Sequence, residues 1–128
     1  MATIRAFTTI KQSRKLAEIL SLETADMNYW CGTQIRIGGH RTMDKELDVP
    51  CWSLAALLSV LPNNEHITTT LSRGGWKIEP VEYIDKWFCE YEDEVDEDTS
   101  CKNFSVSADN PIDACVAMIE KLHELKML

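Results

Sequence analysis

The chain has 128 residues, of which 45% are hydrophobic and 27% are charged. This length fits one globular domain over residues 1–128, since domains typically contain about 100–150 residues, and the apolar content excludes bulk disorder. No apolar run approaches about 18 residues, so we expect no helix that spans a membrane.

The charge is acidic and unevenly distributed. The chain carries 21 acidic and 13 basic side chains, and its net charge is −8. Residues 1–64 have a net charge of +1, whereas residues 65–128 have a net charge of −9. Because the strongly negative half, residues 65–128, repels phosphate, we expect no direct nucleic-acid binding and no binding to anionic membranes. A basic protein partner remains compatible with this charge.

The cysteines and the N-terminus indicate a cytoplasmic protein. The first residues contain no apolar segment of the length that a signal peptide requires. Five cysteines are present, an odd number, and no two of them form a C-x-x-C pair. Free thiols in a reducing compartment explain this pattern better than a disulfide framework does. The five are Cys31, Cys51, Cys89, Cys101 and Cys115.

The first half of the chain predicts two helices with an uncertain segment between them. A helix over Ile10–Leu20 is indicated by its apolar side and by a capping box formed by Thr9 and Gln12. Residues 21–49 are of uncertain structure, although the alternation over 33–37 is typical of a short strand. A buried helix is predicted over 50–61, with Pro50 in its first turn.

The second half predicts a small sheet and a final helix. Strands are indicated at 67–71, 76–79, 87–91 and 104–106, with a turn at Arg73-Gly74-Gly75. Asn110 caps the last helix, Pro111 takes its first position and Asp113 lies in its first turn. The predicted fold class is α+β, in which about three helices pack on a small antiparallel sheet of three to four strands, in the order α…α-β-β-β-α.

Three strings carry a resemblance to a known group of proteins. They are KLAEIL with the following ADM, PCWSLAALL, and DNPIDAC at the start of the last helix. In this order they resemble uncharacterised small proteins encoded by gut anaerobic bacteria and their phages or mobile elements. The resemblance implies an accessory protein, and it implies no activity and no site residues.

A second likeness concerns the order of elements alone. The predicted order helix, three strands, helix is similar to that of the double-stranded-RNA-binding fold. Proteins of that kind place lysines at the start of the last helix, where they contact phosphates. Here the same turn contains Asp109 and Asp113, which argues against that function.

An acidic cluster is the principal candidate for a binding site. We predict an acidic loop over about 90–103, which is either a solvated loop or the surface that binds a basic protein. The spacing of its carboxylates does not fit a calcium-binding loop. Of the four tryptophans, Trp30 is the candidate for an exposed contact, whereas Trp76 and Trp87 are expected to face the helices. The acidic residues are Glu90, Glu92, Asp93, Glu94, Asp96, Glu97 and Asp98.

The function that these patterns favour is a non-enzymatic, acidic protein-interaction or regulatory accessory protein. One alternative is an enzyme that uses Cys31 or Cys51 with His40 as its base. A second alternative is a self-assembling subunit whose apolar helix 50–61 is covered by another copy. We expect no cofactor and no metal, because the glycine pairs form no nucleotide-binding motif and the histidines are isolated.

Overall fold

The computed structural model describes residues 6–30, 34–37, 48–93 and 103–128, and the statements below refer to these ranges. Within them the chain forms three α-helices, one short 3-10 helix and six strands. In chain order these are α1 (Ile10–Ile19), the 3-10 helix (Leu22–Thr24), β1 (Met27–Trp30), β2 (Gln34–Ile37), β3 (Asp48–Cys51), α2 (Leu54–Val60), β4 (Ile67–Lys77), β5 (Glu82–Asp93), β6 (Phe104–Ala108) and α3 (Pro111–Glu124).

The strands form two antiparallel sheets of three strands each, with the orders β2-β1-β3 and β4-β5-β6. The second sheet lies between α2 and α3 in sequence and packs against α3. The predicted α+β class is confirmed, and so are the small antiparallel sheet and the order α…α-β-β-β-α. The first sheet occupies part of the segment that was uncertain, and β2 matches the short strand predicted there.

The caps predicted for the first and last helices are confirmed. Thr9 Oγ1 accepts from Gln12 N at 3.1 Å, and Gln12 Oε1 accepts from Thr9 N at 3.0 Å. Asn110 Oδ1 accepts from Asp113 N at 2.9 Å. Gln12 Nε2 also donates to Asp113 Oδ1 at 2.6 Å, so one capping residue ties the two helix starts together.

The predicted helix start at Pro50 is wrong. Pro50 lies in β3, opposite Asn28 of β1, and β3 is an outer strand, where a missing N–H group is tolerated. The helix begins after Ser53, whose hydroxyl accepts from Ala56 N at 3.2 Å. The Asp26 carboxylate accepts from both the backbone N–H and the hydroxyl of Ser53, which anchors this cap to the first sheet.

The turn predicted at Gly74-Gly75 is also wrong, because β4 continues through both glycines to Lys77. The register changes here, since Arg73 pairs with Trp87 and Gly75 pairs with Ile84, so two residues of β5 face Gly74. Gly74 has φ +79°, and a Cβ atom there would lie 1.8 Å from the Tyr83 hydroxyl oxygen. The turn that joins β4 to β5 lies instead at 78–81.

The main core lies between the second sheet and the helices. It is formed by α3 with residues of α1, α2 and β5, and a smaller cluster lies beside the first sheet around Tyr29, Val49 and Cys51. Leu57 and Leu61, which belong to the predicted helix 50–61, are buried within a single chain. The apolar side of α2 is therefore covered without a second copy.

Among the described residues, no helix is long and apolar enough to cross a membrane.

Candidate functional site

One face of the β4-β5-β6 sheet is free of helices in the part of the chain that the structure describes. Cys89, Tyr91 and Val106 pack toward the helices, as the alternation of side chains along a strand requires. The opposite side chains form a surface that we call the open face. Its exposed members are Thr68, Thr70, Ser72, Glu90, Glu92, Ser105 and Ser107, with the half-buried Phe88 among them. An antiparallel sheet that packs on one side leaves such a polar face toward water.

The structure places two of the predicted acidic residues together on this face. Glu90 lies between Thr70 and Ser105 in the register, and Glu92 lies opposite Thr68. Both are exposed, and neither forms an ion pair with any residue in the described ranges. Residues two apart on a strand are separated by about 7 Å, at which two carboxylates in water repel by only about 0.6 kcal/mol. The two carboxylates can therefore lie side by side without a cation between them, and both are accessible to a basic side chain.

The other predicted partner-binding residues divide into three groups. Asp93 is half-buried and ends β5 opposite Ile67, so the strand includes the first four residues of the predicted acidic loop. Glu94, Asp96, Glu97 and Asp98 lie outside the described residues. The backbone of Trp30 belongs to β1, but its side chain is outside the description, so an exposed contact there stays a prediction.

A shallow depression lies beside the two carboxylates, where β5 pairs with β6. It has a volume of about 240 Å³, and its lining includes Glu90, Glu92 and Asn103. On the other side of the same strand pair, the rings of Tyr91 and Phe104 stack in the main core with centroids 4.8 Å apart and an interplanar angle of 15°. This stacking joins β5 to β6 behind the acidic part of the open face.

A second surface, which we call the hairpin arm, comprises residues 73–86. In the described part of the chain β6 pairs with Trp87–Tyr91 of β5, and residues 73–86 form a ribbon of two strands. The arm exposes Trp76 by 71%, Ile78 by 81% and Val81 by 76%. The expectation that Trp76 faces the helices is therefore wrong, whereas the half-buried Trp87 packs against the main core.

Contacts within the arm hold it in shape. Trp76 lies directly opposite Tyr83, and their rings meet edge to face with centroids 5.2 Å apart. The Tyr83 hydroxyl fills the space beside Gly74, which lacks a side chain of its own to pack. Arg73 Nε lies 3.3 Å from Asp85 Oδ1, although an exposed pair of this kind contributes little to stability. The arm thus presents apolar surface from an ordered ribbon.

The sequence contains a signal for this arm in the positions of its apolar residues. Trp76 and Ile78 alternate with polar residues before the turn, and Val81 and Tyr83 alternate after it. Apolar side chains that continue to the tip of a hairpin exceed what a short neighbouring strand can cover. This pattern predicts exposed apolar side chains only when it is known that β6 is too short to reach them.

The cysteines give no support to a nucleophile in the described residues. Cys51 is fully buried, and its burial raises the pKa of the thiol, although hydrogen bonds from Thr8 and Ser13 oppose that change. Its Sγ donates to the Thr8 carbonyl oxygen at 3.5 Å. Cys31 and His40, the other members of the predicted pair, lie outside the described residues. Cys51 is therefore a packed, protonated thiol.

Cys89 on β5 and Cys115 on α3 form a buried pair of free thiols. The hydrogen bond to Cys89 raises the pKa of the Cys115 thiol, and its burial raises that pKa further. Both residues belong to the main core, where a free thiol acts as a small hydrophobic side chain.

We expect Cys51, Cys89 and Cys115 to resist alkylation in the native protein, because reaction requires an accessible thiolate. In denaturant, each should react at the rate of an ordinary free thiol. Isotopically distinct iodoacetamide labels applied before and after unfolding, followed by mass spectrometry of the peptides, measure this for each cysteine. Rapid native labelling of Cys51 would contradict this packing and would favour the enzyme alternative.

The described residues also bear on metal and phosphate chemistry. Within the described ranges, no group of three or more histidine, cysteine or acidic side chains is placed to hold a metal ion. At the start of α3, Asp113 accepts a hydrogen bond from Gln12 Nε2 at 2.6 Å and another from Asn110 Nδ2 at 2.7 Å. This carboxylate is committed to helix capping and disfavours phosphate there.

Comparison with family models, with the curated proteins and with the solved structures found no match for this chain.

Proposed function

We propose that this protein is a non-enzymatic interaction protein that binds a basic protein partner through the acidic part of its open face. The observation that carries the proposal is the position of Glu90 and Glu92, which are exposed two positions apart on a sheet face that no helix of the described residues covers. Opposite charges across such a surface speed the encounter and select the partner, even where each pair adds little affinity.

The sequence beyond β5 extends the same charge. Five of the six residues from Asp93 to Asp98 are acidic, so the strand that carries Glu90 and Glu92 leads directly into further negative charge. A protein with a net charge of −8 repels nucleic acid, which favours a basic protein as the partner. We further propose an accessory or regulatory role in the cytoplasm, which rests on the resemblance of the three sequence strings to small proteins of gut anaerobes and their phages or mobile elements.

The experiment compares two double variants that remove the same charge from different places. Glu90→Gln with Glu92→Gln changes the open face, whereas Glu18→Gln with Glu23→Gln changes exposed residues of α1 and the 3-10 helix. Each protein is immobilised and exposed to a lysate of the cell that naturally contains it. The retained proteins are identified by mass spectrometry, and the affinity of each is then measured after purification.

The proposal predicts a basic protein that is retained by the wild type and released by salt. Each exposed ion pair contributes about 0.2–1 kcal/mol, and the open-face variant removes two of them. It should therefore bind the basic protein roughly two- to thirtyfold more weakly. The Glu18/Glu23 variant should bind nearly as the wild type does. Equal weakening in both variants would show that the affinity depends on net charge and not on the open face. Unchanged binding in both variants would reject the open face as the site.

A further variant tests the whole acidic segment. Replacing Glu92, Asp93, Glu94, Asp96, Glu97 and Asp98 by serine or asparagine should abolish retention of that protein. Unchanged retention by this variant would show that the acidic segment does not bind the partner.

A further inference from the structure

The hairpin arm exposes a group of large apolar side chains at one end of the second sheet. Trp76, Ile78, Val81 and the 48% exposed Tyr83 lie within eight positions at the end of one ribbon. Together they expose on the order of 500 Å², taking about 150–250 Å² for each large side chain. This is comparable with the largest apolar patch of a typical monomer, about 300–600 Å², and such patches mark binding surfaces.

We propose that the hairpin arm binds the arm of a second copy of this chain, so that the protein is a twofold-symmetric dimer. When two identical arms cover each other, the four side chains of each copy bury about 1,000 Å² in total, which reaches the lower limit of a specific interface. A symmetric contact of this kind needs only one self-complementary surface.

The charges on the arm fit a second copy better than a charged partner. Residues 73–86 contain three basic and three acidic side chains, so this segment is neutral in a chain with a net charge of −8. Two copies therefore meet with the least repulsion at their arms. Nothing in this neutral segment selects a basic protein, and the charge of the whole chain repels an anionic lipid surface.

The order of these charges also defines the direction of the pairing. The tip, residues 77–82, contains one lysine and two glutamates, whereas the base contains Arg73 and Lys86 against Asp85. When the two arms run antiparallel, the negative tip of each lies along the positive base of the other. Parallel arms would place like charges together, which costs energy and disfavours that arrangement.

The outer edge of β4 is open to a second copy beside the arm. Near the start of β4 this edge is covered, since Thr69 N donates to Asn63 Oδ1 at 3.1 Å and Thr69 Oγ1 donates to the Pro62 carbonyl oxygen at 2.6 Å. In the described residues no such cover continues beside the arm, where β4 remains an outer strand of its sheet. A second copy can therefore approach the arm from this side.

Sedimentation equilibrium of the full chain tests this proposal over about 1–100 µM, a range in which mass action separates monomer from dimer. We expect the wild type to change from a mass of 14.6 kDa toward twice that value. Trp76→Ser with Val81→Ser should weaken the dimer at least tenfold while leaving the circular dichroism spectrum unchanged. Leu125→Ser removes an apolar side chain outside the arm that is 50% exposed, and this variant should dimerise as the wild type does.

Three outcomes would overturn the proposal. They are a wild type that stays monomeric throughout the range, an arm variant that dimerises normally, and a monomeric wild type that binds neutral phosphatidylcholine vesicles through the arm. Because the Glu90→Gln/Glu92→Gln variant keeps its arm, it should still dimerise. Failure of the dimer is therefore distinguishable from failure of the proposed function.

Discussion

Replacing Trp52 by alanine is expected to lower the free energy of unfolding by about 3–5 kcal/mol, the usual cost of removing a large buried aromatic side chain. Trp52 has no exposed surface and lies where the cap of α2 meets the main core. Its indole Nε1 donates to Thr24 Oγ1 at 2.9 Å, so the substitution also removes a tie to the 3-10 helix. Since a domain is stable by only about 5–15 kcal/mol, this single change can remove most of the stability.

The chain offers a matched control in Trp76, which has the same side chain in an exposed place. Trp76→Ala should change the free energy of unfolding by about 1 kcal/mol or less, because only its edge contact with Tyr83 is lost. Urea denaturation of both variants in dilute protein, where a dimer does not contribute, measures the difference. Equal losses for the two tryptophans would contradict the burial on which the fold rests.

Replacing Thr8 by valine is expected to destabilise the protein by about 2–3 kcal/mol, although the two side chains have the same shape. The buried Thr8 hydroxyl accepts from Trp52 N at 3.1 Å and shares a hydrogen bond of 2.7 Å with Ser13 Oγ. Valine leaves both partners without that oxygen, and a buried polar group left unpaired costs about 1–3 kcal/mol. Thr8 thereby joins the start of α1 to the end of β3.

Two further threonine variants isolate the hydroxyl. Thr8→Ser keeps the oxygen and loses one methyl group, so it should cost about 1 kcal/mol. Thr70→Val changes an exposed threonine on the open face and should be nearly neutral. Thermal and urea unfolding of the three variants give their order. If Thr8→Val is no worse than Thr8→Ser, the hydroxyl does not hold these elements together.

The helices at the two ends of the chain could be predicted because their signals are local. A capping residue and the backbone groups that it satisfies lie within four positions, as Thr9 with Gln12 and Asn110 with Asp113 show. The amphipathic pattern of α3 is likewise complete within its own length. Such signals need no knowledge of distant residues, so the structure confirms them.

The strands were harder to predict because their signals depend on distant partners. Pro50 fits the start of a helix by local rules, but the pairing of β3 with β1 places it in an outer strand. Gly74 and Gly75 are typical of a turn, but β4 continues through both residues. The Tyr83 side chain of the opposite strand occupies the space beside Gly74. In both cases a tertiary contact outweighs a local preference.

The same division applies to the candidate site. The exposure of Glu90 and Glu92 follows from their charge and could be predicted, whereas their place on a helix-free face depends on how α3 packs against the sheet. The exposure of Trp76 could not be predicted from its own neighbours. It follows from the shortness of β6, since no other strand in the described ranges pairs with the end of the β4–β5 hairpin.

The most direct test of the proposed function maps where a basic probe binds. A lysine-rich peptide of about twelve residues, long enough to span several charges on a strand, is titrated into ¹⁵N-labelled protein while amide chemical shifts are recorded. We predict that the largest shifts fall on Thr68–Ser72, Phe88–Glu92 and Ser105–Ser107, and that salt reverses them. Shifts of equal size on the exposed sides of α1 and α3, or none on the open face, would contradict the proposed site.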